Sequence, residues 1–155
     1  MKIRPVTQLT NTHWQLLLEA DPSEMKIKNY LSDSLIYECL DKEICVGLIV
    51  GLLKQNNGLE IMNLSVSPRF ENQGIATRLI ETLEKFAIDY DVSELYIATG
   101  TTSLKQLYLY QKCGFRFDRI DTNFFVDNYP DKIIENKLIL KDRILLKKTL
   151  HVSRD

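Results

Sequence analysis

The chain is poor in the residues on which hydrolytic and metal chemistry draws. It has only two histidines, His13 and His151, near opposite ends of its 155 residues. A Ser-His-Asp or Cys-His hydrolase would have to recruit one of them. No His/Cys cluster shows metal-ligand spacing, so no metal is expected. The three cysteines, Cys39, Cys45 and Cys113, are odd in number and include no C-x-x-C pair. That fits a reducing, cytoplasmic setting, with the thiols as small buried apolar groups rather than nucleophiles. Neither charge is in excess: 20 Lys+Arg against 21 Asp+Glu leave a net charge of −1. Nucleic acid is therefore not expected as a bulk electrostatic partner. No apolar run is long enough to span a bilayer, and "MKIRPVTQLT" lacks the apolar core of a signal peptide. No membrane partner is expected. Internal repeats, low-complexity tracts and linkers are missing as well.

What is present is the composition of a soluble globular protein, 45% hydrophobic and 26% charged. The length suits one domain over residues 1–155. A short strand is expected near Ile3 to Val6. Helices follow in "TNTHWQLLLEA" and "PSEMKIKNYLSD", the second started by Asp21 before Pro22. "LIYECLD" and "EICVGLIVGLLKQ" read as strands joined at Asp41-Lys42. "NNG" at Asn56 to Gly58 is a turn that leads into the strand "LEIMNLSV".

The stretch "NLSVSPRFENQGIATRLIETLEKF" passes from that strand to a helix. Ile75, Leu79, Ile80, Leu83, Phe86 and Ala87 recur at helical spacing. "ELYIAT" is the next strand and "TSLKQLYLYQKC" the next helix, with Gly114 placed to end it. "FRFDRI" and "DRILLKKTL" are candidate strands, and the segment between them is left open. The unit from Leu59 to Thr99 should be parallel with the helix as crossover, beside an antiparallel meander. The expected fold class is mixed α/β (α+β), a mixed sheet flanked by helices.

Gly74 stands just inside the expected helix, where glycine costs about 1 kcal/mol relative to alanine. Free N–H groups at a helix N-terminus attract phosphate, and a glycine lets it approach the backbone. Ala76 is nearly as small. The alternative is an ordinary helix start capped by Asn72. Neither the P-loop nor the G-x-G-x-x-G pattern is present.

"LSVSPRFENQGIATRLI" resembles the acetyl-CoA signature of the GNAT superfamily of N-acetyltransferases. That signature is a strand ending in V-x-P, followed by Q/R-x-x-G-x-G/A at a helix start. Val66, Pro68, Gly74 and Ala76 match; Glu71 stands where Arg or Gln is usual. "SLKQLYLYQKCGF" is similar to the family's N-x-x-A-x-x-L-Y-x-K-x-G-F. There Leu109, Tyr110, Lys112, Gly114 and Phe115 match, and Ser103 and Gln106 depart. The resemblance runs from about Ser34 to Phe117, with both motifs in the family's order.

The resemblance implies a GNAT-like sheet whose two central parallel strands part in a V-shaped split. Acetyl-CoA is the implied cosubstrate. Its pantetheine arm would lie along Leu64, Ser65 and Val66 and its pyrophosphate on Asn72, Gln73, Gly74, Ile75, Ala76 and Thr77. Glu71, Ser103 and Tyr110 would stand beside it, and the V-x-P strand end would offer an N–H to the developing oxyanion. The implied activity is transfer of an acetyl group to a primary amine of a small molecule or peptide by direct attack. The alternative is an acyl-CoA-sensing module of the same fold. Homodimers are frequent in the family.

Two residues are candidates for the proton steps. Tyr110 shares a helix face with Ser103 and Gln106 at i, i+3 and i+7 and would meet the leaving thiolate. Glu60 would be the base. Strand alternation sets it on one face with Met62, Leu64 and Val66, and burial there would raise its pKa. Acids at Asp118, Asp121, Asp127, Asp131 and Glu135 would steer a cationic acceptor.

Overall fold

The apolar runs of the sequence become strands of one sheet. The computed structural model describes residues 1–150, so His151 lies outside the described residues. The strands are β1 (Lys2–Pro5), β2 (Leu35–Asp41), β3 (Ile44–Leu53), β4 (Gly58–Val66), β5 (Glu94–Gly100), β6 (Arg116–Asp121) and β9 (Arg143–Thr149). They form a seven-stranded sheet in the order β1-β2-β3-β4-β5-β9-β6. Only β4 and β5 run parallel; every other pair is antiparallel. The open segment resolves into a short helix, α5 (Phe124–Asn128), and a hairpin of β7 (Ile134–Glu135) and β8 (Leu138–Ile139).

The remaining helices cover the two faces. α3 (Ile75–Asp89) is the crossover from β4 to β5, and it buries Ile75, Leu79, Ile80, Leu83 and Ala87. They meet Ile49, Leu59, Ile61, Leu95 and Ile97 of the sheet. α1 (Asn11–Ala20) and α2 (Glu24–Leu31) cover the other face, with Leu16, Leu17 and Ile27 against Leu48 and Val50. Each fully buried aliphatic side chain contributes about 1.5–3 kcal/mol. No helix among the described residues is long and apolar enough to cross a membrane.

Local chemistry explains the joints. The β2–β3 turn falls on Lys42 and Glu43, one residue later than expected. Both take positive φ, 49° and 68°, as a tight hairpin of matching twist requires. α2 is capped by Ser23, which accepts from the Lys26 N–H at 3.3 Å, and not by Asp21. Asp21 instead accepts from the Ser23 N–H at 3.0 Å.

The split in the sheet starts at a bulge. β4 and β5 pair from Gly58↔Glu94 to Ile61↔Ile97 and then stop, although both strands continue. On the other edge of β4, Val50 pairs with Asn63 while Gly51 pairs with Ile61. Met62 is therefore an extra residue, and an extra residue bends its strand. The bend turns β4 away from β5, and Met62 to Val66 keep an edge that no strand of the described residues covers.

The bulge also overturns the expected alternation of β4. Met62 packs toward the α1–α2 side, and Asn63 bonds there too, to the Leu17 carbonyl and the Tyr30 hydroxyl. Leu64 and Val66 pack on the α3 side. Met62 thus does not share a face with Leu64 and Val66, because two neighbours at a bulge point the same way.

Candidate active site

Gly74 is the N-cap of α3, not a residue of its interior, with φ +81°. Asn72, also at positive φ (61°), is not the cap. Glycine is needed here because an L side chain is strained at that φ. A Cβ on Gly74 would meet nothing within 4 Å, so the strand-to-helix turn is open on that side. The first intrahelical bond runs from the Arg78 N–H to the Gly74 carbonyl at 3.0 Å. No side chain caps the helix. The N–H groups of Ile75, Ala76 and Thr77 have no hydrogen-bond partner among the described residues. Together with the helix dipole they form an anion seat. Ile75 offers only its N–H, since its side chain is core.

The split opens into a cleft of about 820 Å³, the size of a small-ligand pocket. Glu60, Leu64, Ser65, Val66, Glu71, Ser103, Gln106 and Tyr110 all line it. Asn72 through Thr77 do not; they follow Glu71 beyond its rim.

Tyr110 comes from α4 (Leu104–Lys112), near the point where that helix stops. The Phe115 N–H reaches back to the Tyr110 carbonyl and the Gly114 N–H to the Gln111 carbonyl, both at 3.0 Å. Gly114 takes φ +97° between them. This is the Schellman helix stop, and its usual apolar contact is supplied by Tyr110 edge-on to Phe115 at 6.3 Å. The Tyr-x-x-x-Gly-Phe spacing is therefore a stop signal that also fixes the Tyr110 ring. Burial pushes its phenol well above the ordinary tyrosine value. The hydroxyl makes no hydrogen bond among the described residues, and Tyr110 lines the cleft. Tyr108, on the neighbouring face, is 69% exposed and packs on neither core.

The other candidates have partners that lie far off in sequence. Glu60 is partly buried and pairs with Lys54 at 3.2 Å, so a cation meets it that strand alternation did not provide. Glu71 stands 3.4 Å from Lys105, which offsets its charge at the cleft rim. The Ser103 hydroxyl donates to Glu135 Oε1 at 2.5 Å, and Thr102 donates to the same oxygen at 3.1 Å. Of the five acids expected to form an acidic rim, Glu135 alone lines the cleft. Asp118 and Asp121 pair with Lys147 and Arg143 instead.

A second polar cluster lies apart from the cleft. His13, Glu38 and Cys45, scattered in sequence, bring their ligating atoms within 4.8 Å of one another. The spacing rule misses such a group because only the fold assembles it. The Thr10 N–H donates to His13 Nδ1 at 2.9 Å, so the ring hydrogen sits on Nε2 and donates to Glu38 at 2.9 Å. Nε2 then has no free lone pair for a metal. Burial pushes the Cys45 thiol up to about 12, away from the thiolate a metal prefers. The cluster reads as a tie between α1 and β2. Cys113 sits half-buried against the α3-side core.

Comparison with known proteins falls on the same region. The model of the acetyltransferase (GNAT) family matches residues 6–115. The chain is 34% identical over 134 residues to the uncharacterized N-acetyltransferase YvbK of Bacillus subtilis (strain 168), 86% of each chain. It is similar in structure to a GNAT family acetyltransferase from Elizabethkingia anophelis with acetyl-CoA bound. The TM-score is 0.91 at 40% identity, covering 96% of this chain and 97% of that one. A Bacillus subtilis acetyltransferase in complex with CoA gives a TM-score of 0.92 at 31% identity, covering 97% and 99%.

Proposed function

The chain belongs to the acetyltransferase (GNAT) family and is an N-acetyltransferase, and from that premise we propose that it transfers the acetyl group of acetyl-CoA directly to a primary amine of a small molecule or peptide. The reading assigns residues 1–155 to one catalytic domain. The observation that carries it is the parting of β4 and β5 after Ile61 and Ile97. It leaves the Leu64–Val66 edge on one side of the cleft and Tyr110 on the other, with the open N-terminus of α3 beyond.

The pyrophosphate would rest on the amides from Asn72 to Thr77, with Gly74 giving close approach. Pantetheine would add to the uncovered edge of Leu64, Ser65 and Val66 as an extra strand does. Glu71 and Ser103 would flank it. The amine nitrogen attacks the thioester carbonyl carbon, so a C–N bond forms and the C–S bond breaks. The carbonyl oxygen gains charge and is met by an edge N–H of β4. The nitrogen gives up a proton to Glu60, directly or through water. The departing thiolate takes a proton from the Tyr110 phenol, whose raised pKa keeps it protonated at neutral pH, and the phenolate regains a proton from solvent as Glu60 gives its own up there.

The test is to incubate the protein with acetyl-CoA and a panel of primary amines, following thiol release and the mass of the product. Thiol release that depends on the amine, with one acetyl gained by it, is expected. Acetyl-CoA binding with no acetylation of any amine contradicts the reading. For the base, Glu60→Gln should lower kcat/KM for the amine by about a hundredfold; an unchanged value gives that role to water.

A further inference from the structure

Three large rings stand outside both apolar cores. Phe124 and Phe125 open α5, and Tyr129 follows it. Each is half-buried, none packs in either core, and all three line the cleft. They pack on one another, Phe124 edge-on to Phe125 at 5.2 Å and Phe125 stacked on Tyr129 at 5.6 Å. The group is held from two sides. The Tyr129 hydroxyl donates to Asp21 Oδ1 at 3.0 Å, at the α1–α2 junction. Arg143 of β9 lies 3.7 Å from the Phe124 ring centre while its Nη2 holds Asp121 at 2.8 Å. A fixed aromatic wall with wet apolar area is suited to an apolar partner.

Charge narrows the class. Glu19, Asp21, Glu60, Glu71 and Glu135 line the cleft against Lys26 and Arg143, which favours one incoming ammonium. The outer end does not suit a second cation. Lys26 Nζ stands 5.3 Å from the Tyr129 ring centre and Arg143 lies over Phe124. The ring faces that would attract another cation already carry the protein's own.

We propose that the acceptor is a monoamine on a flat apolar body, its ammonium drawn to the acids of the cleft and its body lying on the Phe124–Phe125–Tyr129 wall. This rests on the acetyl-transfer reading for the fate of the amine, but not for its binding. The test titrates 2-phenylethylamine, butylamine and spermidine into the CoA-saturated protein by calorimetry, with thiol release from acetyl-CoA measured in parallel. 2-Phenylethylamine should bind about tenfold or more tighter than spermidine. Phe125→Ala, outside both cores, should lose about tenfold in affinity for 2-phenylethylamine and little for butylamine, with the Kd for acetyl-CoA unchanged. Tighter spermidine binding, parental affinity in Phe125→Ala, or no binding by any of the amines overturns the proposal. The expected binding pattern without thiol release leaves the acceptor site standing and removes the acetyl-transfer reading.

Discussion

Replacing Gly74 by alanine separates two effects that one glycine combines. The first acts on the fold. An L residue at φ +81° is strained by roughly 1–2 kcal/mol. For a chain of this size that lowers Tm by about 2–8 °C. No steric cost adds to it, since the new Cβ meets no atom of the described residues within 4 Å. The second effect acts only on the complex. The methyl group stands on the side from which the pyrophosphate would reach the amides of α3. Losing one hydrogen bond to a charged group costs about 1.5–3 kcal/mol. The Kd for acetyl-CoA should therefore rise roughly tenfold to a hundredfold. Calorimetric titration measures that rise, and thermal melting measures the strain. Asn57→Ala is the control, because Asn57 takes φ +63° between β3 and β4 and does not line the cleft. It should lower Tm and leave the Kd within about twofold, as effects at separated sites are independent. A Gly74→Ala protein with a lowered Tm but the parental Kd would refute the reasoning, since the glycine would then serve the turn alone.

Two further outcomes follow from charge. Glu71→Gln leaves Lys105 unpaired at the cleft rim, so acetyl-CoA should bind more tightly, with a gain that shrinks as salt rises; weaker binding would give the carboxylate a positive role. Glu38 concerns acid stability. Burial raises its pKa, but hydrogen bonds from His13 and Arg4 outweigh burial and hold it below the usual glutamate value. Its folded pKa therefore lies below the unfolded one. The stabilisation is complete above the unfolded value of about 4.3 and is lost as pH falls through the folded one. Tm should drop below about pH 4, and Glu38→Gln should flatten that drop while lowering Tm at neutral pH. An unchanged acid slope in Glu38→Gln would place the sensitivity elsewhere.

Local chemistry was legible in the sequence and pairing across the fold was not. The core face of α3 could be read because Ile75, Leu79, Ile80 and Leu83 repeat at the helix period, and all are buried. Gly74 was noticed for its size, yet its left-handed backbone depends on how the strand hands over to the helix. The alternation of β4 failed at Met62 because a bulge is set by the register of β3, which no window around Met62 contains. Tyr110 is singled out by the resemblance of "SLKQLYLYQKCGF" to the family's motif, whose Tyr-x-x-x-Gly-Phe spacing ends a helix as well as placing a phenol. The partners that give the cleft its character were out of reach. Ser103 meets Glu135 at a separation of 32 residues, Asn63 meets Leu17 at 46 and Tyr129 meets Asp21 at 108. No composition or period records such meetings.

The central claim is chemical: the thiolate leaves beside Tyr110 while an amine attacks. Its most direct test is the single-turnover rate of Tyr110→Phe, with acetyl-CoA and an accepted amine saturating and chemistry shown to be rate-limiting. The ring that packs edge-on against Phe115 is kept, so the helix stop and the Kd for acetyl-CoA should survive. The rate should fall by roughly ten- to a thousandfold, the size of a lost general acid. A folded Tyr110→Phe protein that turns over at the parental rate would contradict the claim and leave Tyr110 as a packing residue.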